Sequence, residues 1–237
     1  MNVITEPRSN ADSVASSSVV PGDRALAAWE IVSLVSSALI GEWILAAAGG
    51  RSKLIVAIPI TLAFVLIFVS QVLRGESLRD LGLRFDNFAR AMKLLALPML
   101  VVAVLALAVG LVSGARPDLF RWHPERPIAG QLALGFGWGL IQQYALQSFV
   151  NRRAQIIWQK GTRTVILTAF IFALLHFPNP WLMLATFIGG AVWAFVYQRA
   201  PNLFALALSH SVMTWVLVST LPTSALNHLR IGFKYFA

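Results

Sequence analysis

Runs of about 20 apolar residues recur along this chain, and no other feature restricts its fold as much. Residues 54–73, from Leu54-Ile-Val-Ala to Ser70-Gln-Val-Leu73, contain no charged side chain. A run of that length crosses a ~30 Å hydrocarbon core as a helix, which satisfies its own backbone hydrogen bonds where water cannot. Comparable runs lie at residues 29–48, 94–112, 128–150, 164–177, 181–197 and 203–221. The one at 164–177 is short, and His176-Phe-Pro-Asn-Pro180 after it reads as a re-entrant turn or the start of an eighth segment. The expected fold is therefore all-α, a polytopic transmembrane helical bundle of seven to eight spans. Residues 1–25, rich in Ser, Ala and Val and punctuated by Pro7, Pro21 and Gly22, read as a disordered tail before a membrane domain at 26–237.

Charge agrees with that class. Only 12% of the 237 residues are charged, about half the share of a soluble domain. The net charge of +9 is spread over short connecting loops, where it acts as an orientation signal and forms no patch for nucleic acid. With seven spans, the loops of one side, including the N-terminal tail, hold 12 Lys and Arg against 7 on the other. The positive-inside rule then predicts a cytoplasmic N-terminus. Between the second and third spans, Leu78, Leu81, Phe85 and Phe88 recur at helical steps among charges, giving an amphipathic interfacial segment broken by Gly82. The chain has no cysteine, which excludes disulfides, thiolate metal sites and a cysteine nucleophile.

Three polar notches interrupt the later spans. Residues 138–147 carry Gln142, Gln143 and Gln147, residues 172–176 end on His176, and residues 210–214 run from His210 to Thr214. Spacings of four residues put each pair on one helix face. A polar group at bilayer depth is costly unless it meets another or faces a cavity, so a shared cavity is expected. A single such residue would read as glue between helices, but three clusters outweigh that reading. Gly135, Gly137 and Gly139 in one span and Gly189 and Gly190 in another read as places of close helix approach. Trp29, Trp43, Trp122 and Trp181 near span ends form an aromatic belt.

Chemistry narrows the roles. His176 can serve as a base, while His210 and Thr214 can donate to a developing oxyanion. Gln142 can donate and accept hydrogen bonds, but its amide takes no proton near neutral pH. No Asp or Glu lies in the last four spans, and two histidines without a third ligand make no zinc site, so neither a metal nor any other cofactor is expected. Glu30 and Glu42 fall within the first span and read as interfacial, Glu42 in the outer leaflet.

These residues resemble the CAAX protease and bacteriocin-processing family of intramembrane endopeptidases, which includes lysostaphin-resistance-protein-A-like proteins and prenyl-protein proteases. That family carries Glu-Glu-x-x-x-Arg, then Phe-x-x-x-His, then His-x-x-x-Asn or Asp. Phe172 and His176 match the second motif, and His210 matches the third with Thr214 in its last place. Gln142, Gln143 and Gln147 stand at the Glu, Glu and Arg of the first. The resemblance covers about residues 75–220 and makes 128–221 the core. It implies a water-activating role for His176, oxyanion support from His210 and Thr214, and substrate contact by Gln147 and Phe172. Gln142 and Gln143 hold motif positions only. Loss of both acids together with the Arg avoids a stranded buried charge and leaves a neutral trio.

Three functions follow from this reading. The first is an intramembrane protease-like protein of that family, in a bacterial plasma membrane, processing hydrophobic or lipidated peptides but weak or inactive for want of its glutamates. The second is a non-catalytic, immunity-like scaffold that binds such a peptide in the same cavity. The third is a small transporter, which the absence of a visible internal repeat disfavours.

Overall fold

The computed structural model describes residues 21–48 and 53–236. They are predominantly helical, with no strand among the described residues. Helix α1 spans Pro21–Leu39 and runs on through a wider π-helical segment, Ile40–Leu45, to Ala48. It begins inside the stretch assigned above to the tail; the rest of that stretch, residues 1–20, lies outside the described residues. Helix α2 spans Lys53–Leu73, α3 Phe88–Val112 and α4 Ile128–Gln143. The α4 rod continues as a π-helix, Tyr144–Asn151, and then as α-helix to Trp158. Helices α5 (Thr162–Leu174), α6 (Pro180–Arg199) and α7 (Leu203–Thr220) follow, and a short α8 (Thr223–Leu226) leads into a C-terminal segment of tight turns. Among the described residues, four helices are long and apolar enough to cross a membrane: Gly22–Ala48, Phe88–Val112, Pro180–Arg199 and Leu203–Thr220. Two shorter apolar helices, Ala57–Leu73 and Thr162–Leu174, pack among them. Large apolar side chains such as Phe68, Val104, Leu105 and Val112 point outwards, as lipid permits and water does not.

Local sequence sets the breaks. Helix α5 stops at Leu174 because Pro178 and Pro180 follow, and the residue before a proline avoids helical backbone. No extra helix forms at His176–Pro180; the stretch is a tight turn. Asn179 then caps α6 by accepting from the Leu182 N–H at 3.1 Å, with Pro180 in the first turn. Asn202 caps α7 in the same way, accepting from the Ala205 N–H at 2.9 Å.

The connection between α2 and α3 is a succession of turns rather than an amphipathic helix. Leu81 is buried while Leu78 and Phe85 are exposed, although the Phe85 ring stacks on Phe204 with centroids 4.3 Å apart. Gly82 has φ of 87°, and a Cβ there would sit 3.1 Å from the Tyr197 ring, so the loop docks closely on α6 and the start of α7. The Leu203 N–H donates to the Gly82 carbonyl at 2.8 Å, sealing that contact. Ser77 donates to Asp80 through both its N–H and its hydroxyl, which holds the Asp80 carboxyl below the usual carboxylate range.

One polar cluster ties this loop to the first helix and to the end of α4. Glu30 and Arg153 are buried and the Glu76 side chain is only 8% accessible, and Arg153 is 2.8 Å from Glu30 and 2.8 Å from Glu76. Arg74 reaches Glu30 at 3.3 Å and Arg152 reaches Glu76 at 2.9 Å. Glu30 is thus an enclosed counter-charge. The cluster also fixes residues 74–80 and 151–158 at one end of the bundle, because Arg152 donates to the Asp80 carbonyl at 3.0 Å.

Candidate active site

Helix crossings place the two histidines. At Gly139 on α4, an added Cβ would lie 3.2 Å from the Ala207 carbonyl oxygen and 3.2 Å from the Cβ of His210, so α4 and α7 meet there nearly backbone to backbone. At Gly190 on α6, an added Cβ would lie 3.2 Å from Ala169 Cα and 3.3 Å from the Phe172 ring, which brings α5 and α6 equally close. These are the close approaches read from the sequence for those two glycines. Gly137 has nothing within 4 Å. Gly139→Val is therefore expected to destabilise the fold by about 1–3 kcal/mol through overpacking, whereas Gly137→Val should change thermal stability little. Equal melting temperatures for the two variants in detergent would contradict this placement.

Between α3, α4, α6 and α7 lies a cavity of about 940 Å³. Gln142, Phe172, His176, His210 and Thr214 all line it. The three notches therefore share one space, as their spacing on helix faces suggests. Gln143 and Gln147 stand behind that wall, with no exposed surface. Gln147 is thus buried packing on this face rather than a residue at the cavity surface. It accepts from the Asn151 amide at 2.8 Å, and Gln155 donates to Asn151 at 3.0 Å, continuing the polar stripe down the helix.

One hydrogen bond fixes the His176 tautomer. His176 Nδ1 lies 2.7 Å from the Phe172 carbonyl oxygen, which can only accept, so Nδ1 carries the proton and Nε2 of the neutral ring holds a lone pair. The Gln143 side-chain amide lies 3.3 Å from His210 Nδ1 and holds that ring in place. Phe172 stands between the two imidazoles, its ring centroid 4.7 Å from that of His176 and 6.1 Å from that of His210. That gives Phe172 a packing role as well as a place in the cavity wall.

Two further residues belong to the site and were not read from the sequence. The Trp193 ring stacks on His210 with centroids 4.7 Å apart and planes 7° from parallel, and its indole N–H donates to the Ser209 hydroxyl at 3.0 Å. The signal was available in its position: Trp193 sits well inside a span, whereas the belt tryptophans sit at span ends. The π-helical widening of α4 has a comparable origin. Tyr144 donates to the Gln71 side-chain oxygen at 2.5 Å, and the Gln71 amide donates to the Ser148 carbonyl at 3.2 Å, so α2 takes up a carbonyl within the widened segment. Glu42 does not line the cavity; its backbone and Cβ pack against Gly232 of the C-terminal segment. Trp43 beside it stacks on Phe177 with centroids 5.5 Å apart.

No Asp, Glu, Lys or Arg lines the cavity, and no group of three metal-ligating side chains occurs among the described residues. Fold and site together define an integral membrane protein of all-helical architecture with a histidine-bearing intramembrane cavity. Residues 132–216, from within α4 to within α7, match the family model for Rce1-like proteins, described as type II CAAX prenyl endopeptidase. The matched stretch contains every residue placed at the site above, including Trp193 and Ser209. Neither the curated proteins nor the solved structures gave a match.

Proposed function

We propose that this protein is a CAAX-protease-like membrane protein that receives a hydrophobic or lipidated peptide in its cavity and is weak or inactive as a hydrolase. The observation that supports this most is a cavity bearing both motif histidines and no carboxylate. In a hydrolytic step, His176 Nε2 would take a proton from water while His210 and the Thr214 hydroxyl would stabilise the oxyanion. The imidazolium formed on His176 would then lack a counter-charge in an apolar space, which raises the barrier to that step. Gln142 occupies the place from which an acid would help and cannot do so. The expected result with purified protein in liposomes is saturable retention of an acylated apolar peptide without its cleavage. Rapid cleavage abolished by His176→Ala would restore the enzyme reading, and failure to retain the peptide would remove the binding one.

The orientation belongs to the same proposal: seven crossings, with the N-terminus and residues 74–93 and 151–164 cytoplasmic. The ion pairs from Glu76 to Arg152 and Arg153 support a common side for those two loops. Single cysteines at Ser77 and Thr162, on a background without cysteine, should both react with an impermeant maleimide added from the cytoplasmic side. Reaction of the two from opposite faces would overturn the topology.

A further inference from the structure

We propose that residues 221–236 form a displaceable lid over the cavity, so that the histidines meet water only when this segment lifts. The cavity reaches one end of the bundle, because Ser113 just after α3 and Trp181 at the start of α6 line it together with Gln142 and His210. That end lies opposite the charge cluster: among the described residues, none of 74–87, 151–161 or 199–202 lines the space. Across the end it does reach lies the C-terminal segment, where Leu221, Pro222, Ala225, Leu229 and Ile231 complete the wall. His176 and His210 keep only 9% of their surfaces exposed. The flanks of the cavity offer water no other route. Leu105 and Ile188 line it and are themselves outward-facing apolar surface, which lipid covers.

The segment is held down by few contacts, and against its own backbone. Asn227, His228 and Leu229 follow one another with φ of 42°, 52° and 60°, in the left-handed region where a Cβ crowds the next carbonyl. Asparagine tolerates that region, but histidine does so less well and leucine poorly. His228 is also exposed, so burial of its side chain does not offset the strain. Against it stand a few tethers from the bundle. The Asn179 amide donates to the Leu226 carbonyl at 2.8 Å and to the Arg230 carbonyl at 3.3 Å, and the Gly232 N–H donates to the Phe177 carbonyl at 2.9 Å. Phe236 adds a ring contact to Trp43, with centroids 6.3 Å apart. A left-handed residue other than glycine costs about as much as one hydrogen bond contributes, so strain and tethers nearly balance. Strained backbone kept in place by a small set of tethers is the form that a two-state element takes. Leu221, extended at the end of α7, supplies the hinge.

Asn179 allows the lid to be loosened without touching the helix it caps. Its Oδ1 caps α6, and only its amide nitrogen reaches the lid. Asn179→Asp keeps the capping acceptor but sets a carboxylate against two carbonyls. His228→Gly does the opposite, relieving the left-handed strain of the closed form. The readout is the labelling rate of a single cysteine, Met213→Cys, at a cavity-lining position of the full chain in lipid nanodiscs. The reagent is a sulfonated methanethiosulfonate, whose charge confines it to water. Asn179→Asp should speed labelling about tenfold or more, and His228→Gly should slow it several-fold. Partial unfolding of Asn179→Asp would also speed labelling, but it cannot make His228→Gly slow it. A lid requires both shifts, in opposite directions. Any other pattern, or wild-type labelling of Met213→Cys as fast as that of the exposed Ser77→Cys, would overturn it. Retention of the acylated peptide does not enter this readout, so the lid and the peptide reading fail independently.

Discussion

Combining Gln142→Glu, Gln143→Glu and Gln147→Arg is expected to raise peptide cleavage by about 10²–10⁴-fold over the wild type, the usual contribution of a positioned general base. The rest of the apparatus is present. His176 has its lone pair on Nε2, and His210 and Gln142 line the same cavity as His176. The three changes must go together. Gln143 and Gln147 are both fully buried one helical turn apart, so an acid at the first needs a cation at the second. Gln142→Glu alone should achieve much less, because an acid in an apolar space without a nearby cation favours its protonated form. Adding His176→Ala to the triple variant should abolish the gain. Robust wild-type cleavage that survives Gln142→Ala and is lost in His176→Ala would show that histidine alone suffices.

Much of this site could be read before the fold was known, because its signals are local. An apolar run with a polar residue every fourth position states both a helix and a face, which is why Gln142, His176, His210 and Thr214 were found together. The close approaches at Gly139 and Gly190 were legible for the same reason. What escaped was whatever depends on a partner far along the chain. The widened turn of α4 depends on Gln71, 73 residues before Tyr144 in Tyr144's hydrogen bond and 77 before Ser148. Trp193 acquires its role only through the stack on His210. Gln147 reads as a site residue by motif position, but the burial that places it behind the wall comes from the packing of its neighbours. The loop at 74–87 shows how a helical spacing of apolar residues misleads when Gly82 and the docking surface of α6 and α7 impose turns.

The charge cluster at the end of α4 follows the same logic and carries the largest expected effect on stability. Glu30, Glu76 and Arg153 each look like a bilayer-surface charge when read singly. Packed together, they become a buried set in which Arg153, with no exposed side-chain surface, bridges Glu30 and Glu76. Arg153→Met should cost about 3–5 kcal/mol, because it leaves two buried carboxylates short of a partner. Arg74 and Arg152 remain beside them and keep the loss towards the lower end of that range. By contrast, Arg79→Met removes an exposed partner of Asp86, 67% and 47% accessible, and should change stability little because solvent screens the pair. Combining Arg153→Met with Glu30→Gln and Glu76→Gln should recover part of the loss, since an apolar or neutral replacement of the whole set removes the uncompensated charge. Unfolding followed in detergent by intrinsic fluorescence would distinguish these outcomes. If Arg153→Met proved no more costly than Arg79→Met, the cluster would be a solvated surface pair after all, and the common end assigned to residues 74–80 and 151–158 would lose its main support.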